Sequence, residues 1–380
     1  MNICIFTGAR PNFIKVAPLL RVIKAAEEGG RDIHFDLVFA GRSDDPTLES
    51  SLFDDLQIPR PDVCLGVNCV NLNELTGQVM SQFEIYLQHH ATDAVVVVDD
   101  LASTMAAAIV TKKQGILLAH IAAGTRSFDI TMPKEINRLV IDGLSDILFT
   151  AGISNNSIAN KEGAELSKVY MVGNILIDNI RYNQSRFVRP VVLDTILSSH
   201  SSPSLDSRLS TLDKQYLVFT LNRKVLIANR DNLKQMLLAI QHSAGSMPVI
   251  APLRQNAVEA IEEVFCGAIP DNFHFVAPMN YLEFSWLTSH ACGIITDSGN
   301  VAEEATFHSV PCITLNSYTE HIETVKVGSN VLVGEDPSQL AEAVEKMVTH
   351  QWKQSAIPDR WDGRTAERIV QTLIEVHSRH

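Results

Sequence analysis

Short apolar runs that alternate with helix-length amphipathic segments constrain the fold of this chain most, because they recur along almost its whole length. The runs are rich in Val and Ile and too short for a helix, which is typical of strands buried on both faces of a parallel sheet. They include residues 3–6, 35–39, 95–98, 216–220 and 292–295. Strands that alternate with helices predict an α/β fold in which helices cover both faces of parallel sheets.

The chain length of 380 residues predicts two domains of ordinary size, each with its own hydrophobic core. Residues 190–213 interrupt the alternation with a Ser-rich stretch, so we place the surface-exposed boundary between the domains there. The predicted domains are Rossmann-like and span residues 1–189 and 190–362, and a C-terminal helix in residues 363–380 is expected to return to the first. Two such domains facing each other make a cleft, which is the usual place for a ligand.

The overall composition excludes several classes of partner. The formal net charge of −13 argues against nucleic acid and anionic membranes, and no apolar run reaches the ~20 residues that span a bilayer. Residues 1–6 form a predicted strand rather than a secretory signal. The six cysteines mostly lie in apolar runs without the pairing typical of zinc ligands, so we expect free thiols in a reducing cytoplasm and no metal.

A polar turn between a predicted strand and a predicted helix lies at residues 296–299, Thr-Asp-Ser-Gly. Ser298 suits a helix N-cap, and Gly299 lets a ligand approach the backbone closely. Free N–H groups and the positive end of the helix dipole meet at such a turn, where a phosphate or diphosphate binds. Glu303 and Glu304 follow one turn later, where a carboxylate can accept a hydrogen bond from a sugar hydroxyl. The alternative is an ordinary strand–turn–helix with a capped start.

Charged residues follow two predicted strands of the first half. Arg10 and Lys15 lie at the turn and helix start after the first strand, available to an anion at the carboxyl edge of the sheet. The alternative for them is a solvated turn with two surface cations. Asp99 and Asp100 end the strand at residues 95–98, and because successive strand residues point to opposite faces, at most one should face a ligand.

Several segments together resemble the non-hydrolysing UDP-N-acetylglucosamine 2-epimerases, and the resemblance covers nearly the whole chain. The segments are Gly-Ala-Arg-Pro-Asn-Phe-Ile-Lys at 8–15, Ala-Gly-Thr-Arg at 123–126 with Phe128 and Asp129, Met-Pro at 132–133 with Glu135 to Arg138, Val-Gly-Asn at 172–174 with Asp178, the turn at 296–299 with Glu303 and Glu304, and Thr-Glu at 319–320 followed by Gly328. The resemblance implies a two-domain architecture like that of glycosyltransferase-B enzymes. It also implies a homodimer in which the second domain holds most of the UDP.

The reaction that the resemblance implies takes place on a sugar bearing UDP at C1. The C2 proton is removed as UDP leaves, which gives a glycal, and UDP then adds back while C2 is protonated on the other face. No nicotinamide or other cofactor is required. Carboxylates must act as acid and base near C2, and cations must stabilise the departing diphosphate.

The resemblance also assigns roles to individual residues. The catalytic candidates are Asp100, Glu135, Asp129 and Lys15. The candidates for binding the UDP-sugar are Arg10, Arg126, Arg138, Asn222, Arg223, Phe284, Ser298, Gly299, Asn300 and Glu304. Among these, Ser298 and Gly299 match the phosphate-holding turn, Glu304 the ribose-binding carboxylate, and Phe284 an aromatic residue near the uracil. Asn300 replaces the second glycine of the turn and narrows the space beside the phosphate.

The chain departs from the family at several positions implied in catalysis and regulation. Ala122 and Lys134 stand where the family has glutamates, Asn222 stands in place of a histidine and His321 in place of an arginine. Arg42, Ser43 and Arg254 replace residues of the second, regulatory nucleotide-sugar site, so activation by a second UDP-GlcNAc is not expected. A positioned acid or base contributes roughly 10²–10⁴-fold, so losing two carboxylates removes most of the rate. Lys134 acts as a base only if its pKa is depressed, and pairing with a phosphate or carboxylate is the favoured alternative.

Three functional hypotheses follow. The first is an epimerase for a UDP-N-acetylhexosamine with a rearranged acid–base set. The second is a catalytically depleted nucleotide-sugar binding protein of the same fold that regulates or scaffolds polysaccharide biosynthesis. The third, less favoured, is a glycosyltransferase of similar architecture. Turnover of UDP-GlcNAc separates the first from the second, and release of UDP that depends on an acceptor indicates the third.

Overall fold

The structure is a computed structural model that describes residues 1–162, 168–200 and 215–378, with the backbone alone at residues 199 and 200. The chain forms two compact units. Unit 1 comprises Met1–Tyr182 and Asp359–His380, and unit 2 comprises Asn183–Pro358. Each unit is a parallel sheet covered by helices, so the predicted α/β class is confirmed.

Within the described part of unit 1, seven parallel strands form one sheet in the order β3-β2-β1-β4-β5-β6-β7. The strands are β1 (Asn2–Thr7), β2 (His34–Phe39), β3 (Val63–Cys64), β4 (Ala94–Val98), β5 (Leu117–Ile121), β6 (Ile147–Thr150) and β7 (Val169–Met171). β4 is buried along its whole length, which explains its continuous run of Ala and Val, since a central parallel strand has no solvent-facing side.

The sheet of unit 2 has six parallel strands among the residues described, in the order β10-β9-β8-β11-β12-β13. The strands are β8 (Leu217–Thr220), β9 (Val249–Pro252), β10 (Phe273–Val276), β11 (Gly293–Thr296), β12 (Cys312–Thr314) and β13 (Asn330–Leu332). In both units the strand order reverses at one place, between β1 and β4 in unit 1 and between β8 and β11 in unit 2. Ligands of open α/β sheets bind beyond the carboxyl ends of the strands at this switch point.

Helices connect the strands and cover the sheets. In chain order they are α1 (Arg10–Glu28), α2 (Ser50–Leu56), α3 (Leu72–His89), α4 (Ala102–Lys113), α5 (Pro133–Leu144), α6 (Ile153–Lys161), α7 (Ile175–Asn183), α8 (Val191–His200), α9 (Lys224–Ala228), α10 (Arg230–Ala244), α11 (Gln255–Val264), α12 (Tyr281–Ser289), α13 (Gly299–His308), α14 (Glu323–Lys326), α15 (Pro337–Val348) and α16 (Thr365–His377). Across the described segments, none of them is long and apolar enough to cross a membrane.

The division between the units differs from the boundary predicted at residue 190. Helix α7 ends at Asn183, where unit 2 begins. Residues at the start of the predicted boundary form α8, because Leu193 and Leu197 pack into the core of unit 2 beside Tyr216. The rest of that predicted boundary, from residue 201, lies outside the described residues.

The C-terminal helix α16 belongs to unit 1 and packs against α1. Its start is held by Asp178, whose carboxylate accepts hydrogen bonds from Thr365 N at 3.2 Å and from Ala366 N at 2.8 Å. The indole of Trp361, just before the helix, is buried and donates to the Ala151 carbonyl at 3.1 Å. Polar contacts of residues 361–366 thus anchor the C-terminal segment to unit 1.

Replacing Gly173 by alanine is expected to destabilise unit 1. Gly173 has φ +105, and a Cβ there meets the Arg360 carbonyl oxygen at 2.1 Å. The left-handed conformation alone costs an L-residue about 1–2 kcal/mol, so together with this backbone clash we expect a loss of at least about 2 kcal/mol. The free energy of unfolding measured in urea checks this.

Gly143→Ala is the matched control. Gly143 lies near the exposed end of α5, and nothing stands within 4 Å of a Cβ added there. Alanine in place of a helical glycine stabilises by up to about 1 kcal/mol, so the two substitutions should shift the unfolding midpoint in opposite directions. Equal shifts of the unfolding midpoint in the two variants would contradict the structural role assigned to Gly173.

Candidate functional site

The turn after β4 places two consecutive carboxylates at the switch point of unit 1. Asp99 has φ 61, a left-handed conformation uncommon for a residue with a Cβ. Its carboxylate accepts from Asn12 Nδ2 at 3.0 Å and pairs with Lys15 Nζ at 2.5 Å. Asp100 instead pairs with residues of α5. Because both residues follow the end of the strand, the alternation expected within a strand does not govern them.

The Asp100 carboxylate is nearly buried and lies between two cations of α5. Arg138 donates to its Oδ2 from Nε at 2.8 Å and from Nη2 at 2.7 Å, and Lys134 Nζ lies 3.3 Å from its Oδ1. Burial raises the pKa of Asp100, but the charges of Lys134 and Arg138 outweigh it and hold the pKa below its ordinary value. Asp100 is therefore an ionised and weakly basic carboxylate.

The Glu135 carboxylate accepts four hydrogen bonds. The donors are Ser127 N and Ser127 Oγ, both at 2.9 Å, Phe128 N at 3.0 Å and Arg138 Nη1 at 3.1 Å. Burial raises the pKa of Glu135, yet the donors from Ser127, Phe128 and Arg138 lower it below its ordinary value. Glu135 thus clamps the turn of residues 122–132 onto α5. A general base needs a pKa near the working pH, which neither Asp100 nor Glu135 has.

The other candidates of unit 1 lie apart from this pair. Asp129 is on the exposed part of the turn, and Thr131 donates to it from Oγ1 at 2.6 Å and lowers its pKa. Lys15 is buried beside Asp99, so the alternative of two surface cations is wrong for it. Arg10 is partly exposed and pairs with Glu49.

Arg126, predicted to bind the substrate, is buried in a network of charged side chains. It pairs with Asp142 at 2.8 Å and with Glu162 at 2.5 Å, and it donates to the Thr125 carbonyl at 2.7 Å. These contacts occupy most of its donors. Its observed role is to hold the turn after β5 against α5 and α6, and a contact with a substrate stays a prediction.

In unit 2, Asp297 joins the two turns at the switch point. Its Oδ2 accepts from Asn222 N at 2.7 Å and from Arg223 N at 2.6 Å, so the turn after β8 is held by the residue that follows β11. Its Oδ1 is buried without a hydrogen-bond partner among the described residues, and burial raises its pKa. Asn222 and Arg223 therefore lie beside the predicted phosphate turn, as their candidate roles require.

Helix α13 begins at Gly299, so the last residue of the predicted polar turn at 296–299 belongs to the helix. Ser298 is its N-cap residue, but the Ser298 hydroxyl makes no capping hydrogen bond, so the expected side-chain cap is wrong. Instead the Ser298 N–H donates to Thr296 Oγ1 at 3.0 Å. The N–H groups of the first turn of α13 point beyond the sheet without a side-chain cap, which leaves them to an anion.

Space and polarity around this turn suit a ligand. A Cβ added to Gly299 meets nothing nearer than Glu320 Oε2 at 3.7 Å. Glu304 lies on α13, and burial together with the Glu303 charge raises its pKa to about 8. Phe284, half-buried, is carried by α12, which packs against α13. At neutral pH, Glu304 is therefore largely protonated and can both donate to and accept from a hydroxyl.

The substituted residue His321 and the binding candidate Arg223 both have partners within unit 2. His321 is buried, and its Nε2 lies 3.5 Å from Glu303 Oε1. Arg223 donates to Asn316 Oδ1. Both side chains are thus held within unit 2.

Comparisons with known proteins agree with this geometry. The family model described as UDP-N-acetylglucosamine 2-epimerase matches residues 26–374. The UDP-N-acetylglucosamine 2-epimerase of Methanocaldococcus jannaschii is 31% identical over 381 residues, which cover 98% of this chain and 99% of the relative. A crystal structure of the M. jannaschii UDP-GlcNAc 2-epimerase in complex with UDP-GlcNAc and UDP matches with a TM-score of 0.82 at 30% identity, covering 99% of this chain and all of that one.

A lipopolysaccharide outer core galactosyltransferase shares the fold, with a TM-score of 0.57 at 10% identity over 98% of this chain and the whole of that one. The chain is therefore of the α/β class with two Rossmann-like domains, similar to glycosyltransferase-B proteins. Within that class, it belongs to the UDP-N-acetylglucosamine 2-epimerase family. The resemblance inferred from the sequence motifs is confirmed.

Sequence reasoning did not select three residues that organise the two turns. Asp99 directly precedes the candidate Asp100, Asp297 lies within the quoted turn motif, and His120 is the penultimate residue of β5. Their positions directly after or at the end of strands were the available signal. What each side chain binds depends on residues distant in sequence, so the signal alone did not distinguish them.

Replacing Glu135 by glutamine is expected to destabilise unit 1. The amide keeps the shape but offers one acceptor oxygen to four donors and loses the charge that faces Arg138, which costs about 1–3 kcal/mol. Because the folded-state pKa of Glu135 is lowered, this stabilisation is present above the ordinary pKa of 4.5 and is lost as the pH falls through the folded value. Urea unfolding of both proteins at neutral and acidic pH checks this.

Glu28→Gln, at the exposed end of α1, removes the same charge without a clamp. We expect it to leave the unfolding free energy within about 0.5 kcal/mol. A Glu135→Gln variant as stable as this control at neutral pH would show that the clamp contributes nothing.

Proposed function

We propose that this protein binds a UDP-N-acetylhexosamine and, where active, inverts C2 by eliminating and re-adding UDP. One observation carries the proposal: the uncapped first turn of α13 at the switch point of unit 2. One relative, the M. jannaschii UDP-GlcNAc 2-epimerase, was crystallised with UDP-GlcNAc and UDP. The diphosphate accepts hydrogen bonds from the N–H groups of residues 299–301, where the helix dipole favours negative charge.

Residues near this turn supply the other contacts of the nucleotide. Arg223, held at the adjacent turn through Asp297, brings a positive charge that opposes the diphosphate charge. Glu304 accepts from or donates to the ribose hydroxyls, and Phe284 provides an aromatic surface for the uracil. Arg10 is the partly exposed cation of unit 1 that we assign to the phosphates.

Unit 1 supplies the acid–base part of the proposal, and there the chain is depleted. Asp100 is neutralised by Lys134 and Arg138, Glu135 is saturated by four donors, and Ala122 has no ionisable group. This observation favours the second candidate, a nucleotide-sugar binding protein with little epimerase activity. We propose tight UDP-sugar binding with epimerisation at least ~10²-fold below that of an intact acid–base set.

We further propose a cytoplasmic homodimer that serves polysaccharide biosynthesis. None of the six cysteines, all of which lie in the described part of the chain, forms a disulfide, which supports a reducing compartment. Ile136 and Leu139 are 41% and 39% exposed and lie three residues apart on α5, so they present an apolar surface that a second copy can cover. No nucleic acid or membrane partner is proposed.

Replacing Ser298 by aspartate is expected to lower UDP affinity at least ~10²-fold. The carboxylate caps the first turn of α13, so it competes with the diphosphate for the same N–H groups and repels its charge. Since aspartate is a good N-cap, thermal stability should be maintained, which separates loss of binding from misfolding. Titration calorimetry with UDP measures the affinity.

Ser338→Asp is the matched control, because Ser338 lies in the first turn of α15 within the same unit. It adds the same charge at another helix start and should leave UDP affinity unchanged. If Ser298→Asp binds UDP as tightly as the control, the diphosphate does not lie at α13.

The triple variant Ala122→Glu, Lys134→Glu and Asn222→His tests the depletion. It restores two carboxylates and an imidazole and removes one of the two cations beside Asp100, so deuterium exchange at C2 of UDP-GlcNAc should rise by ~10²-fold or more. NMR detection of the exchange reports proton abstraction even without net turnover. The control is the single variant Lys134→Gln, which removes the cation without adding a base.

Brisk epimerisation of UDP-GlcNAc by the unmodified protein would refute the depletion and assign the proton chemistry to Asp100 with Glu135 or Asp129. Release of UDP that requires an acceptor sugar would indicate a glycosyltransferase instead. Absence of any UDP-sugar binding would overturn the proposed function itself.

A further inference from the structure

His120, at the end of β5, contacts an acceptor with each of its ring nitrogens. The side chain is 2% exposed. Nδ1 lies 2.6 Å from Asp142 Oδ1, and Nε2 lies 3.0 Å from the backbone carbonyl oxygen of Asp99. A backbone carbonyl can only accept a hydrogen bond, so Nε2 must carry a proton.

Asp142 is also restricted to accepting. Its Oδ2 receives Arg126 Nη2 at 2.8 Å and Gly124 N at 3.0 Å. Burial raises the pKa of Asp142, but the hydrogen bond from His120 and the charge of Arg126 outweigh it and hold the pKa below its ordinary value. The ring of His120 thus bridges the Asp142 carboxylate and the Asp99 carbonyl.

The charged groups that face His120, or join its network from the packed elements, are Asp142 on α5, Arg126 on the turn after β5, Glu162 after α6, and the pair of Asp99 with Lys15 of α1. Arg126 and Asp142 are buried and pair with each other, whereas Glu162 is exposed. The buried pair holds the His120 ring against the Asp99 carbonyl.

The Asp99 carbonyl that His120 holds belongs to a strained residue. A left-handed φ such as the 61° of Asp99 costs about 1–3 kcal/mol outside glycine and persists only where the surroundings fix it. Asn12 and Lys15 fix the carboxylate of Asp99, while His120 fixes its carbonyl. The direction of Asp99 in turn sets where the next residue, Asp100, points its carboxylate.

We propose that His120 acts as a positioning residue that orients the Asp99–Asp100 turn through the Asp99 carbonyl. Its effect on a UDP-sugar rests on the proposed function. His120 contacts no substrate in this proposal. It orients Asp100, whose carboxylate is the group that contacts the sugar in the proposed function.

His120→Gln tests the positioning role. A glutamine amide that donates to the Asp99 carbonyl cannot also hold the Asp142 carboxylate as the ring does, so the turn loses its fixed direction. We expect C2 exchange of UDP-GlcNAc to fall at least ~10-fold while UDP affinity is unchanged. Where the natural chain exchanges too slowly to measure, the comparison is made in the triple variant of the previous section.

His242→Gln is the matched control, since His242 is an exposed histidine of α10 whose Nδ1 contacts only a backbone carbonyl of its own helix among the residues described. It should change neither exchange nor affinity. If His120→Gln equals this control in exchange, His120 does not position the turn. If the natural chain binds no UDP-sugar, the proposed function fails, whereas tight binding with unchanged exchange in His120→Gln refutes the positioning role alone.

Discussion

In both units, an aspartate directly after the strand on one side of the switch point holds the turn after the strand on the other side. Asp99 binds Asn12 and Lys15, and Asn12 in turn accepts from Gly8 N at 2.9 Å. Asp297 accepts from two backbone N–H groups after β8. Parallel strands end with unpaired backbone groups at the same edge, and these must find partners. Asp297 meets that requirement directly and Asp99 meets it through Asn12, and both thereby shape the carboxyl edge of their sheet.

The pairing of carboxylates underlies the depletion proposed for unit 1. Asp100, Glu135 and Asp142 are paired with cations or saturated with donors, and these contacts hold their pKa below the ordinary value. Lys134, 61% exposed, adds positive charge at the start of α5. We expect an edge of this kind to stabilise negative charge well and to abstract a proton from carbon poorly. Unit 2, by contrast, keeps the uncapped helix start on which the proposed binding depends.

Glu304 and Glu135 are the same residue type in opposite environments. Glu135 meets donors on every side and its pKa falls, whereas Glu304 is half-buried beside another acid and its pKa rises to about 8. Sequence spacing showed both as glutamates near helix starts. Only their packed surroundings determine that one is ionised and the other is largely protonated at neutral pH.

The sequence by itself determined the α/β class, the parallel strands and the family, because apolar runs and local motifs carry these directly. It also located the turns at residues 8–15 and 296–299. It did not determine the start of α13, the packing of α8 in unit 2, or the partners of Asp99 and His120. Those partners are side chains distant in the chain, such as Lys15 for Asp99 and Asp142 for His120. Charge pairing and burial are properties of the folded surroundings, so the tertiary structure alone decided which charged residues hold the fold and which are left for a ligand.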